Sequence, residues 1–315
     1  MRPGKGSLAL GYAAACLIWG STWLAIKVGL ESIPPILGAG MRFGIAALII
    51  AAIVRLRHIP VAMDSNAKRV YINVVLLTFT VPYAMVYWAQ QFIPSSLSSI
   101  LYSTYPFLVA LFSHVRLPEE PLTAFKVSGI SVGFVGVVLI FSSDLSFGAE
   151  GAFLAMLAVL ASSSMQAFNL VTIRKYGREI HPLALNLVGM TFASVFLLTL
   201  GLIAEKASDI ILDWRAVGSV LYLATFGTVV AFTTYFWLVK HMETVYISLI
   251  VFVNPVVATI LGGIVLDEKL GPHTIAGAGL VLAGILVTNG NDIVKALLRR
   301  EALSGSEPAQ KDKSI

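Results

Sequence analysis

Charge is what this sequence has least of: 12% of its residues are Asp, Glu, Lys or Arg, against 57% that are hydrophobic. Soluble domains carry about 25% charged residues. A soluble fold of 315 residues could not hide this much apolar surface behind so few charges. Lipid as solvent removes the difficulty, so composition points to the membrane class. Cysteine is nearly absent. The single thiol, Cys16, excludes an intrachain disulfide and a cysteine-based metal cluster, and inside an apolar run it reads as a small packing residue. Histidine is sparse and scattered, at positions 58, 114, 181, 241 and 273. No H-E-x-x-H, phosphate-cradling glycine loop or nucleophile motif accompanies it. That argues against an integral membrane enzyme and calls for no cofactor and no metal. The formal charge is +5, yet no basic patch is interleaved with aromatics, so nucleic acid is not an expected partner.

Long apolar runs are what the sequence does have. A hydrocarbon core about 30 Å thick needs about 20 mostly apolar helical residues. Ten stretches meet or nearly meet that length, near 8–27, 36–55, 70–92, 95–115, 123–141, 151–173, 182–204, 216–239, 244–266 and 272–291. The expected fold is therefore an all-α, polytopic membrane protein with ten transmembrane helices. Met1-Arg2-Pro3-Gly4-Lys5 precedes the first run, which lacks a small-residue cleavage site. It reads as a retained helix rather than a signal peptide. With the N-terminus inside and ten crossings, seventeen Lys and Arg fall in inside breaks. Only Lys27, Lys206, Arg215 and Lys269 fall outside. The positive-inside rule expects this bias, so both termini are expected to be cytoplasmic. The segment 292–315, polar beyond Ser304, is expected to be a disordered tail.

The chain also repeats itself. At a constant offset of 149 residues, Trp88 matches Trp237, Pro106 matches Pro255, Leu117 matches Leu266 and Glu119 matches Glu268. At an offset of 148, Gly129 matches Gly277 and Gly136 matches Gly284. A period this long indicates duplicated domains rather than a solenoid, here 8–141 and 150–291. Each unit holds five expected crossings, an odd number, so the second must enter the membrane from the opposite side. Inverted repeats are a device of secondary transporters, which alternate access around a midplane site.

Several of these elements together resemble the EamA family of the drug/metabolite transporter superfamily. They are Trp19-Gly20-Ser21-Thr22, Arg42, Pro106 with Leu117-Pro118-Glu119, Pro255 with Leu266-Asp267-Glu268, and the glycine-spaced final helix of each half. The resemblance spans about Gly11 to Asn289. It implies a carrier in the bacterial inner membrane that exports small metabolites, such as amino acids or similar amphipathic solutes, through a cavity between the halves. A monomer is compatible with that reading. One departure stands out: Ser162-Ser163-Ser164 occupies the place that Trp19-Gly20-Ser21 holds in the first half. A phosphorylated-solute or nucleotide-sugar antiporter shares the architecture but should embed several Lys or Arg, whereas Arg42 and the terminal Lys27 are all this chain offers. A non-transporting scaffold would not require an inverted duplication.

Midspan polar and aromatic residues are the expected pocket: Trp19, Ser21, Tyr83, Trp88, Gln91, Tyr102, Gln166, Asn169, Tyr235, Trp237 and Asn254. Amides are costly in lipid and should face the interior. Trp88 and Tyr235 also suit an interfacial aromatic belt. Arg42 is the clearly embedded charge, with anion binding and snorkelling to the outer headgroups as the two readings. Pro106 and Pro255 should each kink a helix near the midplane and free the carbonyls of Tyr102 and Val251. No Asp or Glu lies near the middle of a span, which disfavours a carboxylate-coupled exporter of polyaromatic cations. Glu119 and Glu268 are expected to complement the positive ends of the helices that follow them. Gly40-x-x-x-Gly44, Gly129-x-x-x-Gly133, and Gly277 with Gly279 are expected to bring helices close together.

Overall fold

A computed structural model describes residues 5–117, 122–142, 151–242 and 250–304, all in helices and their connections. In chain order these are α1 (Lys5–Gly29), α2 (Pro35–Leu56), α3 (Ser65–Val74), a π-turn at Val75–Thr80, and α4 (Val81–Ala89). Then come α5 (Ser95–Tyr102), α6 (Tyr105–Arg116), α7 (Ala124–Ser142), α8 (Ala152–Tyr176) and α9 (Pro182–Ala204). The last are α10 (Trp214–Ala224), a second π-turn at Thr225–Val230, α11 (Ala231–His241), α12 (Ile250–Leu266) and α13 (Pro272–Ser304). Eight helical stretches among the described residues are long and apolar enough to cross a membrane, and Val253–Leu266 and Pro272–Thr288 are shorter apolar helices.

Helix starts follow local chemistry. Proline opens α2, α9 and α13, where its missing N–H costs nothing and its fixed φ suits the first turn. Asp64 caps α3 by accepting the amides of Asn66 and Ala67 at 2.9 and 3.0 Å. Other caps come from far away in sequence. Glu205 accepts the amides of Ile36 and Leu37, both at 2.9 Å. Glu268 accepts those of Ser95 and Ser96, at 2.7 and 3.0 Å, together with the Ser96 hydroxyl at 2.6 Å. Glu268 therefore neutralises the start of α5 in the other half of the chain and not the helix that follows it. Glu119 lies outside the described residues.

The distribution of apolar side chains runs opposite to that of a soluble protein. Leu48, Phe134, Ile203 and Ile264 point outward, while Ser95, Ser96, Ser98, Ser99, Ser162 and Ser163 are buried. Small polar residues let helices approach, and their hydroxyls bond back to the helix. Ser103 and Thr104 donate to the carbonyls of Ser99 and Leu101.

Two helix pairs hold the bundle together. In one, α2 lies on α9: Leu198 packs at Gly40, Ser194 at Gly44 and Leu37 at Gly201, and the Ser194 hydroxyl donates to the Gly40 carbonyl at 2.9 Å. In the other, α7 lies on α13, where a Cβ at Gly129 would come within 2.4 Å of the Gly284 carbonyl and one at Gly136 within 2.6 Å of the Gly277 carbonyl. In both pairs contacts ascend one helix while descending the other, so the partners run antiparallel. Gly279, expected in the seam, faces open space.

Two further differences from expectation have physical causes. The α5–α6 stretch is interrupted at Ser103–Thr104, and Pro106 stands in the first turn of α6. There its missing donor is harmless, so a break replaces the expected kink; Pro255 sits inside the continuous α12. And α13 runs on to Ser304, so 292–304 is helical where a disordered tail was expected. A helix already nucleated in the bundle extends at little cost through a segment rich in good helix formers.

Candidate functional site

The interior polar groups lie on α1, α2, α4, α5, α6, α8, α10, α11, α12 and the two π-turns. Arg42, on α2, is 4% exposed and does not snorkel. Its Nε and Nη2 both donate to Thr228 Oγ1 at 3.4 Å, and its guanidinium lies 5.1 Å from the centre of the Tyr83 ring. The π-turn explains the placement of Thr228. The extra residue per turn lets its hydroxyl donate to the Leu223 carbonyl, five residues back, at 2.8 Å, leaving a lone pair turned toward α2. Thr78, the fourth residue of the first π-turn as Thr228 is of the second, accepts Asn169 Nδ2 at 2.6 Å. Asn169 is fully buried.

Aromatic rings lie beside Arg42 and further along the bundle. Tyr83 packs edge-on against Phe43 at 4.7 Å and stacks on Phe79 at 6.3 Å. Tyr102 stacks on Tyr105 at 5.9 Å and touches Trp23 at 5.3 Å. From the other half, Tyr235 packs on Trp19 at 5.3 Å. Ser21 joins α1 to α10: its hydroxyl bonds to the Leu17 and Ile18 carbonyls and meets the Tyr222 hydroxyl at 2.6 Å. Gly20 has a steric reason to be glycine, since a Cβ there would lie 2.5 Å from Val257 Cβ and 3.2 Å from the Asn254 carbonyl. The side-chain oxygen of Asn254 is buried without a hydrogen-bond partner. The carbonyl of Tyr102, released by Pro106, accepts the Ser163 hydroxyl at 3.4 Å; a serine on α8 supplies what the broken helix lost.

Thus the fold brings together Trp19, Ser21, Arg42, Tyr83, Tyr102, Tyr235 and Asn254. It does not gather the rest. Trp88 is exposed and packs on Phe92, and Gln91 is exposed with its amide on the Trp88 carbonyl. Trp237 lies against Gly11 and His241, and Gln166 is half-buried on α8. Sequence reasoning missed Tyr105, Trp23, Tyr87, Tyr222 and Thr228. One signal was available: Tyr105 precedes Pro106 as Asn254 precedes Pro255, so the repeat pairs them. Lys27, at the end of α1, is tied to the carbonyls of Gln90 and Ile93.

Comparison with known proteins accords with this architecture. A solved crystal structure of a protein superposes with a TM-score of 0.64 at 18% identity, covering 90% of this chain and 98% of its own; that likeness concerns the fold. The inner membrane transporter YedA of Escherichia coli K12 is 31% identical over 90% of this chain and 91% of its own length. The transporter YoaV of Bacillus subtilis is 27% identical over 88% and 95% respectively. The profile of the EamA-like transporter family matches residues 6–142 and again 153–290. With apolar helices facing outward and a buried polar interior, the chain is a multi-pass membrane transporter belonging to the EamA-like family of the drug/metabolite transporter superfamily.

Proposed function

We propose that this transporter exports small amphipathic metabolites, of the amino-acid type, across a bacterial inner membrane by alternating access. Its ten crossings form two inverted five-helix halves, and both termini are cytoplasmic. The observation that carries the reading is the interior assembly itself. Trp19 and Gly20 of α1 and Arg42 of α2 meet Tyr235, Asn254 and Thr228 from the other half. A site shared between two bodies is loaded from one side and emptied to the other when the bodies rock.

The inverted arrangement draws support from reciprocity. Gly129 and Gly277 correspond in the repeat, as do Gly136 and Gly284, and the contacts are Gly129 with Gly284 and Gly136 with Gly277. Each glycine touches the counterpart of its mate's partner, which is the signature of a two-fold relation. Between antiparallel membrane helices such an axis lies in the membrane plane. The two π-turns, beginning at Val75 and Thr225, fall at matching places in the halves.

A tolerance screen tests the transport reading. Cells overproducing the protein should gain resistance to one class of growth-inhibiting metabolite. Trp19→Ala and Asn254→Ala, at unchanged expression, should each remove most of it. Resistance that survives both replacements would take these residues out of the pocket, and no resistance or flux to any of a broad panel would leave the chain without an exported solute.

A further inference from the structure

Two groups of helices face each other across the interior, and neither group is one sequence half. In the first, α1 packs on α11 and α12: Trp19 lies 5.3 Å from Tyr235, and a Cβ at Gly20 would come within 2.5 Å of Val257. In the second, α8 holds the stretch from α3 to α6. Asn169 donates to Thr78 at 2.6 Å, Ser163 to the Tyr102 carbonyl at 3.4 Å, and Arg116 to Thr172 at 2.7 Å.

The turn joining α4 to α5 belongs to the second group, and two charged side chains of the first group grip it. Lys27, at the end of α1, donates to the carbonyls of Gln90 and Ile93. Glu268, just beyond α12, accepts the amides of Ser95 and Ser96 and the Ser96 hydroxyl, at 2.7, 3.0 and 2.6 Å. The signs match the backbone: a cation sits on carbonyls at the end of α4, an anion on amides at the start of α5. Pro94 stands at the N-cap of α5 and offers no side-chain acceptor, so the first amides of that helix must find one elsewhere. One turn deeper on α1 the two groups touch through rings, Trp23 against Tyr102 at 5.3 Å. At the opposite end of the bundle the bonds of Asn66, Arg116 and Lys175 stay within the second group.

We propose that Lys27 and Glu268 are the latch of an outer gate, with Trp23 and Tyr102 as the plug beneath it. The latch must release before solute can leave. This inference rests on the transport reading and on the topology that puts the α4–α5 turn outside. Release is feasible at that place, because a membrane face has water to take over amides and carbonyls that hydrocarbon would leave bare. Glu205 provides the contrast. It also accepts two amides at a helix start, those of Ile36 and Leu37. It joins α9 to α2, however, and that pair is seated side chain on glycine at Gly40 and Gly201. Glu205 is a fixed cap, and Glu268 a releasable one.

The experiment reads outer access to a reporter thiol, Ser99→Cys in the full-length Cys16→Ala protein. Ser99 is buried one turn deeper on α5 than Ser95, on the face that Ser95 turns toward Gly262 of α12. Intact cells are exposed to an impermeant maleimide and the labelling rate is measured. Glu268→Gln keeps the shape and removes the charge. It should raise the rate by about tenfold or more, as loss of charged hydrogen bonds predicts. Lys27→Met should raise it several-fold, and Glu205→Gln should leave it at the parent's rate. Equal rates in the parent, Glu268→Gln and Lys27→Met overturn the latch. So does an equal rise in Glu205→Gln, which would mean general loosening, or a rise seen only in inverted vesicles. Lys27→Met carries the test should Glu268→Gln fail to reach the membrane. Solute tolerance, measured in the same cells, separates the two readings. Faster labelling with no tolerance in any version would keep the latch as a conformational contact and sink the export reading, and tolerance with unchanged labelling would do the reverse.

Discussion

At the scale of single residues, carboxylates do structural work at helix ends and leave the interior to phenols and one guanidinium. Asp213 shows the electrostatics plainly. It accepts the Ala216 amide at 2.8 Å and the Ser32 hydroxyl at 2.9 Å. The amide foremost, with the hydroxyl and Arg215 beside it, holds its carboxyl below the usual carboxylate range. A folded pKa below the unfolded value of about 3.9 gives stability that is present above that pH and lost as pH falls through the folded value. Asp213→Asn should therefore lower the Tm at pH 7, and the gap between variant and parent should close in melts below about pH 4. A gap that stays constant to low pH would mean the charge contributes nothing. Arg42 makes the complementary point. Its place in a span was legible in the sequence, but its escape from the headgroup region depends on Thr228, almost two hundred positions away, which no local pattern couples to it.

Elements combine through close backbone approach, and glycine position decides where that is allowed. The α7–α13 seam leaves no room for a side chain at Gly284, where a Cβ would lie 2.5 Å from the Gly129 carbonyl and 2.6 Å from the Gly133 amide. Gly279, five residues earlier on the same helix, meets nothing within 4 Å. Gly284→Ala should cost about 1–3 kcal/mol from overpacking. Gly279→Ala should cost nothing and add up to about 1 kcal/mol through helix propensity. Melting of the detergent-solubilised variants compares them directly, and equal Tm values would mean that the helices separate without strain. The glycine spacing announced a tight helix pair; which glycines meet was set by the crossing.

For the whole molecule, the governing feature is the relation between the halves. In a Cys16→Ala background, single cysteines replacing Glu119 and Lys269 should react with an impermeant maleimide from opposite sides of the membrane. Labelling of both from one compartment would abolish the inverted arrangement and the alternating-access reading with it. Odd span number and shared spacing suggested that arrangement from sequence. Reciprocal contacts between Gly129 and Gly284, and between Gly136 and Gly277, support it independently.

Composition and run length sufficed to specify a helical membrane protein, because lipid demands that every span satisfy its own backbone and be apolar outside. Repetition of Trp88, Pro106 and Glu119 at Trp237, Pro255 and Glu268 is the sequence signal behind the proposed division of the chain in two. Only the tertiary structure decided which polar residues meet. It turned Trp88 and Gln91 outward, drew Tyr105, Tyr87 and Thr228 into the interior, and sent Glu268 to the start of α5 instead of its own neighbouring helix. The reason is physical: partition into lipid depends on a segment's summed polarity, whereas a site depends on the rotation and crossing of helices that lie far apart along the chain.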